Sequence, residues 1–365
     1  MKLAYFYVTE QGKHLSERIR AVLGGDCYGK ENLKEQIAMA MKHYDGIVFV
    51  MATGIVVRMI APYVVHKAKD PAIVVLDQKG NYVISLLSGH LGGANELAKT
   101  VAQITNGQAV ITTATDVEQV LAFDVFAKEH EMKIENIEQL KYISGALLQK
   151  KVVEVVCESE EIRECLKEAI EHMGAEHTKK EEKNESYICF VEKIRGSYGV
   201  VISPYRKKDW IEIQTGEEEP SIEAAERHIL YLRPKVVAVG IGCKKDRDRI
   251  GVKEALEQLL EEQNLSRLSL KAITTIPRKA KEEAVEFLVT EYEIPLVIKT
   301  EEMIQQLDLE QLGIAQSAFV NQTVGVASVS TACAYLTSNQ GKILVDKRKF
   351  TGFTLSLGID FSFVY

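Results

Sequence analysis

The sequence predicts an α/β protein in three blocks. These are an N-terminal open-sheet α/β domain over residues 1–130, a small charged α/β middle domain over 131–232 and a C-terminal α/β domain over 233–365. Three observations carry this reading. Strand-like runs alternate with runs of helical spacing through the first block, the pattern of an open sheet covered by helices. At 365 residues the chain exceeds what one hydrophobic core ordinarily serves. Its composition, 46% hydrophobic and 27% charged, is that of a globular protein in water.

In the first block Leu3–Val8 reads as a strand, a helix runs from Leu15, and Gly46–Met51 is the next strand. Ile73–Asp77 and Tyr82–Leu87 follow, joined by Gln78-Lys79-Gly80-Asn81, a hairpin-like turn. Ser88-Gly89-His90-Leu91-Gly92-Gly93 then turns tightly into a helix on which Ala94, Leu97, Ala98, Val101 and Ile104 recur at helical spacing. Val110-Ile111-Thr112 is another strand. Ligands of open sheets sit at the carboxyl ends of strands. Two loops are expected there: Ala52-Thr53-Gly54 and Ser88–Gly93.

The second of these loops is the informative one. A strand, a glycine-rich turn and a helix N-terminus gather backbone N–H groups at one point, where the helix dipole also favours an anion. His90 is the group at that point that titrates near neutral pH. Two readings follow from the residues. Either the glycines only turn the chain around a structural imidazole, or the turn binds a carboxylated or phosphorylated substrate beside an acid–base group. The turn is not G-x-G-x-x-G, and no G-x-x-x-x-G-K-[ST] occurs, which argues against dinucleotide and P-loop folds.

The middle block carries a solvated run at Glu176–Glu185 and strands at Val152–Cys157, Tyr187–Val191, Gly199–Ile202 and Trp210–Ile213. It offers no compact polar constellation and reads as a spacer or partial lid. Glu217-Glu218-Glu219-Pro220 is a surface loop before a helix ending near Leu232. The third block opens with a strand, Lys235–Val239, entering a turn at Gly240-Ile241-Gly242-Cys243-Lys244-Lys245. That turn reads either as a solvated basic corner or as a second anion-facing loop through Gly240, Gly242 and Lys244. A helix at Val252–Glu262 follows, then strands at Leu270–Thr274, Leu296–Lys299, Ile343–Val345 and Phe353–Ile359.

Charge and composition exclude several classes. A net charge of −7 gives no support to a nucleic-acid partner, while leaving room for an anionic ligand at a locally positive site. The N-terminus lacks an apolar segment with a small-residue cleavage site, and no stretch of about 18 apolar residues spans a bilayer. Six scattered cysteines without a C-x-x-C pair suit a reducing cytoplasm, where the chain is expected to reside, and no zinc site. No metal or organic cofactor of its own is expected.

The runs ATGIVVRMIAPYVVHKAKDPAIVVLD (52–77), YVISLLSGHLGGANELA (82–98) and TTATD (112–116) resemble the CbiG family, the cobalt-precorrin-5A hydrolases of anaerobic cobalamin (vitamin B12) biosynthesis. VAVGIGCKK (237–245), the Lys279…Glu282 segment, PLVIKTEEM (295–303), VGVASVSTACAYL (324–336) and ILVDKRKFTGFTLSLGI (343–359) extend the resemblance. It covers all three blocks and is weakest in the middle. Asp248 and Arg249 depart from a small hydroxylic pair typical of the family, and Thr331 from a glutamate.

The resemblance implies a substrate that is a cobalt-bearing macrocycle with acetate and propionate arms and a lactone. Water opens the lactone, and a two-carbon unit leaves as acetaldehyde to give cobalt-precorrin-5B. The cobalt is carried in the substrate. His90 is then the water-activating base and the amides of Gly89, Gly92 and Gly93 hold the oxyanion. Arg58 and Lys67 suit salt bridges to propionates, with Thr53, Gly54 and Asn95 as further substrate contacts. Asp70 either orients a histidine, His90 or His66, or closes a turn ahead of Pro71. Ser88 is a nucleophile, or it caps the helix or binds a substrate carboxylate. The competing reading is a non-catalytic corrinoid-binding carrier. Other cobalamin-pathway enzymes, or a second copy in a homodimer, are the expected protein partners.

Overall fold

The computed structural model describes residues 1–66, 69–118, 120–175, 187–206, 209–212, 227–243, 249–314 and 328–363. The chain divides into two compact units, Met1–Phe126 and Ala127–Tyr365.

The first unit runs β1 (Leu3–Tyr7), α1 (Glu10–Leu23), β2 (Asp26–Tyr28), α2 (Leu33–His43), β3 (Gly46–Val50), α3 (Thr53–Ile60), β4 (Ala72–Leu76), β5 (Tyr82–Leu87), α4 (Ala94–Thr105), β6 (Gln108–Val110) and α5 (Ala114–Val117). The helix α6 (Phe123–Glu129) begins at its end. Six strands form one sheet in the order β2-β1-β3-β4-β5-β6. Alternating side chains sort to its two faces. Leu3, Tyr5, Val48 and Val74 pack with Leu15 and Ile19 of α1 and Leu97 and Val101 of α4. Ala4, Phe6, Phe49 and Val75 pack with Ile37 of α2 and Val56 of α3.

One reversal organises this sheet. Asp77 accepts the amides of Lys79 and Tyr82, both at 2.8 Å, and Gly80 takes φ 77°. The hairpin makes β5 antiparallel to β4, with Ile73 beside Leu87, whereas β3 and β4 are parallel, with Ile47 beside Ile73. The carboxyl end of β5 therefore lies at the amino end of β3. Both glycine loops follow the carboxyl ends of their strands as expected, but the antiparallel β5 sets them at opposite ends of the sheet. Thr53 and Gly54 follow β3 at one end, and Ser88–Gly93 follow β5 at the other. Because β6 is parallel to β5 (Ile84 beside Val110), it delivers Thr113–Asp116 to the same end as the histidine turn.

The second unit continues with β7 (Met132–Ile134), α7 (Leu140–Leu148), β8 (Val153–Cys157), α8 (Glu160–Ala175), β9 (Ile188–Phe190), β10 (Tyr198–Ile202) and β11 (His228–Pro234). After these come β12 (Val237–Cys243), α9 (Arg249–Glu262), β13 (Leu270–Thr275), α10 (Glu283–Tyr292), β14 (Leu296–Ile298), α11 (Glu301–Gln305), α12 (Ser330–Thr337), β15 (Lys342–Phe350) and β16 (Phe353–Ile359). They form two five-stranded sheets, β7-β11-β10-β8-β9 and β14-β13-β12-β16-β15.

Several sequence expectations change in this unit. The segment ending near Leu232 is the interior strand β11, parallel to β10 and antiparallel to β7, with Leu230 and Leu232 fully buried. Trp210–Glu212 forms no named strand, Ile211 making a single bridge to Ile194, and Ile213 lies outside the described residues. The middle block does hold a buried polar centre. Arg233, 2% exposed, donates to the carbonyls of Ser203 and Tyr205 and to Glu135. Glu158 nearby accepts from Ser203 Oγ and from Trp210 Nε1. The runs at Glu176–Glu185 and Glu217–Pro220 lie outside the described residues.

Gly240 and Gly242 are not in a turn but inside β12, paired with Ser356 and Thr354 of β16. The glycine at 240 is required by a distant segment. A Cβ there would stand 1.8 Å from the carbonyl oxygen of Ser330, because the start of α12 lies directly on the strand. Lys244 lies outside the described residues. We expect Gly240→Ala to lower the unfolding free energy by about 3 kcal/mol or more, since backbone on both sides must move. Urea unfolding followed by circular dichroism measures this; an unchanged midpoint would remove the close contact from the account.

Candidate active site

The histidine turn is built by backbone geometry that few residues tolerate. Ser88 sits at φ 59° and Gly93 at φ 88°, both left-handed. Gly92 packs so closely that a Cβ there would lie 2.4 Å from Ser88 Cβ, so position 92 accepts only glycine. The amide of Gly93 donates to the carbonyl of His90, that of Ala94 to Ser88 and that of Asn95 to Gly89. These bonds occupy the Gly93 amide, one of the three that the sequence reading assigned to the oxyanion. Among the described residues the amides of Gly89, His90 and Gly92 donate to no backbone carbonyl, and these are the ones left for a ligand oxygen.

His90 is held between two carboxylates. Nε2 lies 2.6 Å from Asp116 Oδ2, and Nδ1 lies 3.5 Å from Asp124 Oδ2. Thr115 Oγ1 is 3.3 Å from the same Nε2. Asn95 Nδ2 donates to Asp116 Oδ2 at 2.9 Å and to Thr113 Oγ1 at 3.2 Å, and its Oδ1 accepts from Ser85 Oγ at 2.6 Å. A strand residue, a helix residue and the post-β6 loop thus fix one carboxylate against one imidazole. The Asp124 hydrogen bond is the largest influence on His90 and raises its pKa above the usual histidine value. Burial opposes that shift, and the Asp116 hydrogen bond adds to it. The imidazole is favoured as the cation, with both ring nitrogens donating.

Of the residues singled out from sequence, the fold gathers Ser88, Gly89, His90, Gly92, Gly93 and Asn95 in one turn. Asn95 is buried and braces Asp116. Ser88 Oγ is buried and has no hydrogen-bond partner among the described residues. Asp70 does not bond to His90. Both its oxygens accept the Val65 amide, at 2.9 and 3.2 Å, and the carboxylates on His90 are Asp116 and Asp124. Thr53, Gly54 and Arg58 lie on α3, where Arg58 Nη1 donates to the Gly54 carbonyl at 3.0 Å. Thr53 and Gly54 are at the opposite sheet end from His90. Lys67 lies outside the described residues. Gly240 and Gly242 belong to the second unit.

Sequence reasoning missed the roles of Asp116, Asp124 and Thr115. Asp116 and Thr115 had a usable signal: TTATD directly follows a strand and precedes a helix. Asp124 sits in an apolar run with no motif around it. Among the described residues no group of three or more His, Cys, Asp or Glu side chains is placed to hold a metal ion. None of the described helices is long and apolar enough to cross a membrane.

Similarity to known proteins extends over nearly the whole chain. Residues 35–116 match the family model "Cobalamin synthesis G N-terminal", 121–212 "Cobalamin biosynthesis central region" and 237–358 "Cobalamin synthesis G C-terminus". A Salmonella typhimurium protein named cobalt-precorrin-5A hydrolase is 31% identical over 98% of this chain and 97% of its own length. A Priestia megaterium protein of the same name is 31% identical over 97% of this chain and 87% of its own. The crystal structure of a cobalamin biosynthesis protein G homolog from Sulfolobus solfataricus aligns with 98% of this chain and 97% of its own, at 23% identity and a TM-score of 0.36.

The raised His90 pKa has a definite stability consequence. The folded state binds the proton more tightly than the unfolded one. The contribution is therefore fully present below the unfolded value of about 6.5 and is lost as pH rises through the higher folded value. We expect the stability difference between wild type and His90→Gln to be largest below the unfolded value of about 6.5 and to shrink as pH rises above it, read from urea unfolding across pH. NMR titration of His90 should show its midpoint fall in Asp124→Asn; a midpoint that stays put would deny Asp124 its hold on the ring.

Proposed function

Because the chain belongs to the CbiG family of cobalamin synthesis proteins, we propose that it is a cobalt-precorrin-5A hydrolase. In this reading it opens the lactone of that macrocycle and releases the two-carbon unit as acetaldehyde. The observation that carries the reading beyond family membership is the Asp116–His90–Asp124 arrangement at the glycine turn. A carrier needs donors for carboxylates and has no use for an imidazole clamped and charged by two buried or half-buried acids. That clamp favours catalysis over carriage.

The groups suit the two proton demands of the reaction. Water attacking the lactone carbonyl must lose a proton, and Asp116 is the carboxylate beside the imidazole that can take it. The developing oxyanion is held by the amides left over in the turn, with Ser88 Oγ as a further donor. The carbon–oxygen bond of the lactone then breaks, and the departing alkoxide takes the proton of the His90 cation. The resulting alcohol must surrender the same proton as its carbon–carbon bond breaks. Neutral His90 receives it, acetaldehyde leaves, and the bonding pair passes into the conjugated ring of the substrate. Cobalt belongs to the substrate here and no cofactor of the protein enters.

Anaerobic incubation of the purified chain with the cobalt-precorrin-5A lactone, with acetaldehyde assayed enzymatically, tests the proposal. His90→Ala and Asp116→Asn are expected to lower kcat by about 10²-fold or more, the usual range for losing an acid–base group. Binding of the macrocycle by His90→Ala, followed in its visible absorption, should persist. Wild type that binds the lactone and releases no acetaldehyde would establish the carrier instead.

A further inference from the structure

Asn95 lies in the first turn of α4, yet it is only 3% exposed and its carboxamide is bonded on every side. The turn leaves room for that group. A Cβ on Gly89 would stand 2.8 Å from Asn95 Oδ1, so a side chain at position 89 would press on the carboxamide. Its orientation follows from the chemistry of its neighbours. An ionised carboxylate only accepts, so the amide nitrogen faces Asp116 and the amide oxygen faces away. That oxygen accepts from Ser85 Oγ at 2.6 Å, and Nδ2 gives its second hydrogen to Thr113 Oγ1 at 3.2 Å. A hydroxyl on β5 is thereby linked through one carboxamide to the carboxylate beside His90.

This link makes the two oxygens of Asp116 unequal. Oδ2 accepts from Asn95 Nδ2 at 2.9 Å and from His90 Nε2 at 2.6 Å, which uses both of its lone pairs. Oδ1 accepts no hydrogen bond among the described residues, and the side chain is 28% exposed. One oxygen is spent on holding the carboxylate in place. The other is left with its acceptor capacity intact.

We propose that Ser85 and Asn95 are positioning residues that hold Asp116 by Oδ2 and so leave Oδ1 to take the proton of the attacking water. The inference rests on the functional reading above and adds the reacting atom and its supports. The water oxygen bonds to the lactone carbonyl carbon as one of its O–H bonds breaks. That proton goes to Oδ1, and the carbonyl π pair moves onto the carbonyl oxygen. Asn95 acts through the carboxylate and not on the substrate, in place of the substrate contact expected from sequence. Without it Asp116 is free to turn, which takes Oδ1 from the water and Oδ2 from the ring.

Ser85→Thr, Ser85→Val and Asn95→Ala in the full chain test this, by steady-state acetaldehyde release and by NMR titration of His90. Thr and Val differ in little but the hydroxyl. Ser85→Val should lose about fivefold in kcat, the worth of one hydrogen bond, with KM within about twofold, while Ser85→Thr stays near wild type. Asn95→Ala should lose about tenfold or more in kcat. It should also lower the His90 midpoint, since the Asp116 bond that helps raise it is loosened. Adding Ser85→Val to Asn95→Ala should cost nothing further, because the hydroxyl works only through the carboxamide. Wild-type kcat in Ser85→Val overturns the proposal. So does a folded Asn95→Ala whose His90 midpoint is unmoved, or whose KM alone rises. Should Asn95→Ala not fold, the Ser85 pair decides. If wild type binds the macrocycle without turnover, the functional reading fails and the reacting atom with it, while the His90 midpoint still decides the positioning.

Discussion

Asp77 turns the chain back on itself, and the direction this gives β5 decides which groups can meet. Were β5 parallel to β4, Ser88–Gly93 would open at the end that holds Thr53 and Gly54. Instead the hairpin sends the turn to the far end, where β6, running alongside, brings Thr113–Asp116. The carboxylate at the hairpin accepts two amides. Burial raises its pKa, and the backbone hydrogen bonds from Tyr82 and Lys79 outweigh burial and hold it below the usual carboxylate value. The reversal is therefore tied to an ionised side chain, and the site's composition follows from it.

At the site the decisive term is the electrostatic balance around one ring. A half-buried imidazole is ordinarily neutralised by desolvation. Here two carboxylates outweigh that tendency, and Asn95 prevents Asp116 from turning away by bonding to the same oxygen as the ring. The second unit meets the same problem differently. Arg233 is buried almost completely, yet its donors reach two backbone carbonyls and Glu135. That arrangement satisfies a permanent charge and leaves nothing to exchange, as suits a structural centre. His90 differs in kind, since its charge can be gained and lost, and the two acids bias it toward the charged form.

The parts of this architecture legible in the sequence were those set by local chemistry. Tyr82–Leu87 shows as an apolar run, Gly80-Asn81 as a turn, and SGHLGG as a strand-to-helix corner whatever surrounds it. The failures share a cause in long-range contacts. Gly240 looked like a turn residue because glycine usually is one, but it is glycine because Ser330, ninety positions on, leaves no room for a Cβ. The segment His228–Pro234 passed for the end of a helix because a charged run precedes it, while pairing with β10 on one side and β7 on the other makes it a strand. Asp124 is invisible for the same reason: nothing within ten residues tells that its carboxylate faces an imidazole from the other side of a fold.

On the proposed function, the two acids around His90 bear on both proton transfers. Substrate carboxylates brought near the turn would add negative charge around the ring and favour its cationic form further. Binding would then prepare the proton donor that lactone opening requires. Once an alkoxide had taken that proton, the Asp116 and Asp124 carboxylates would favour return of one to the ring, and the newly formed alcohol is the group that must give one up. The same electrostatic balance would thus serve the first step and the second. A fully solvated histidine lacks it, because water screens both carboxylates from the ring.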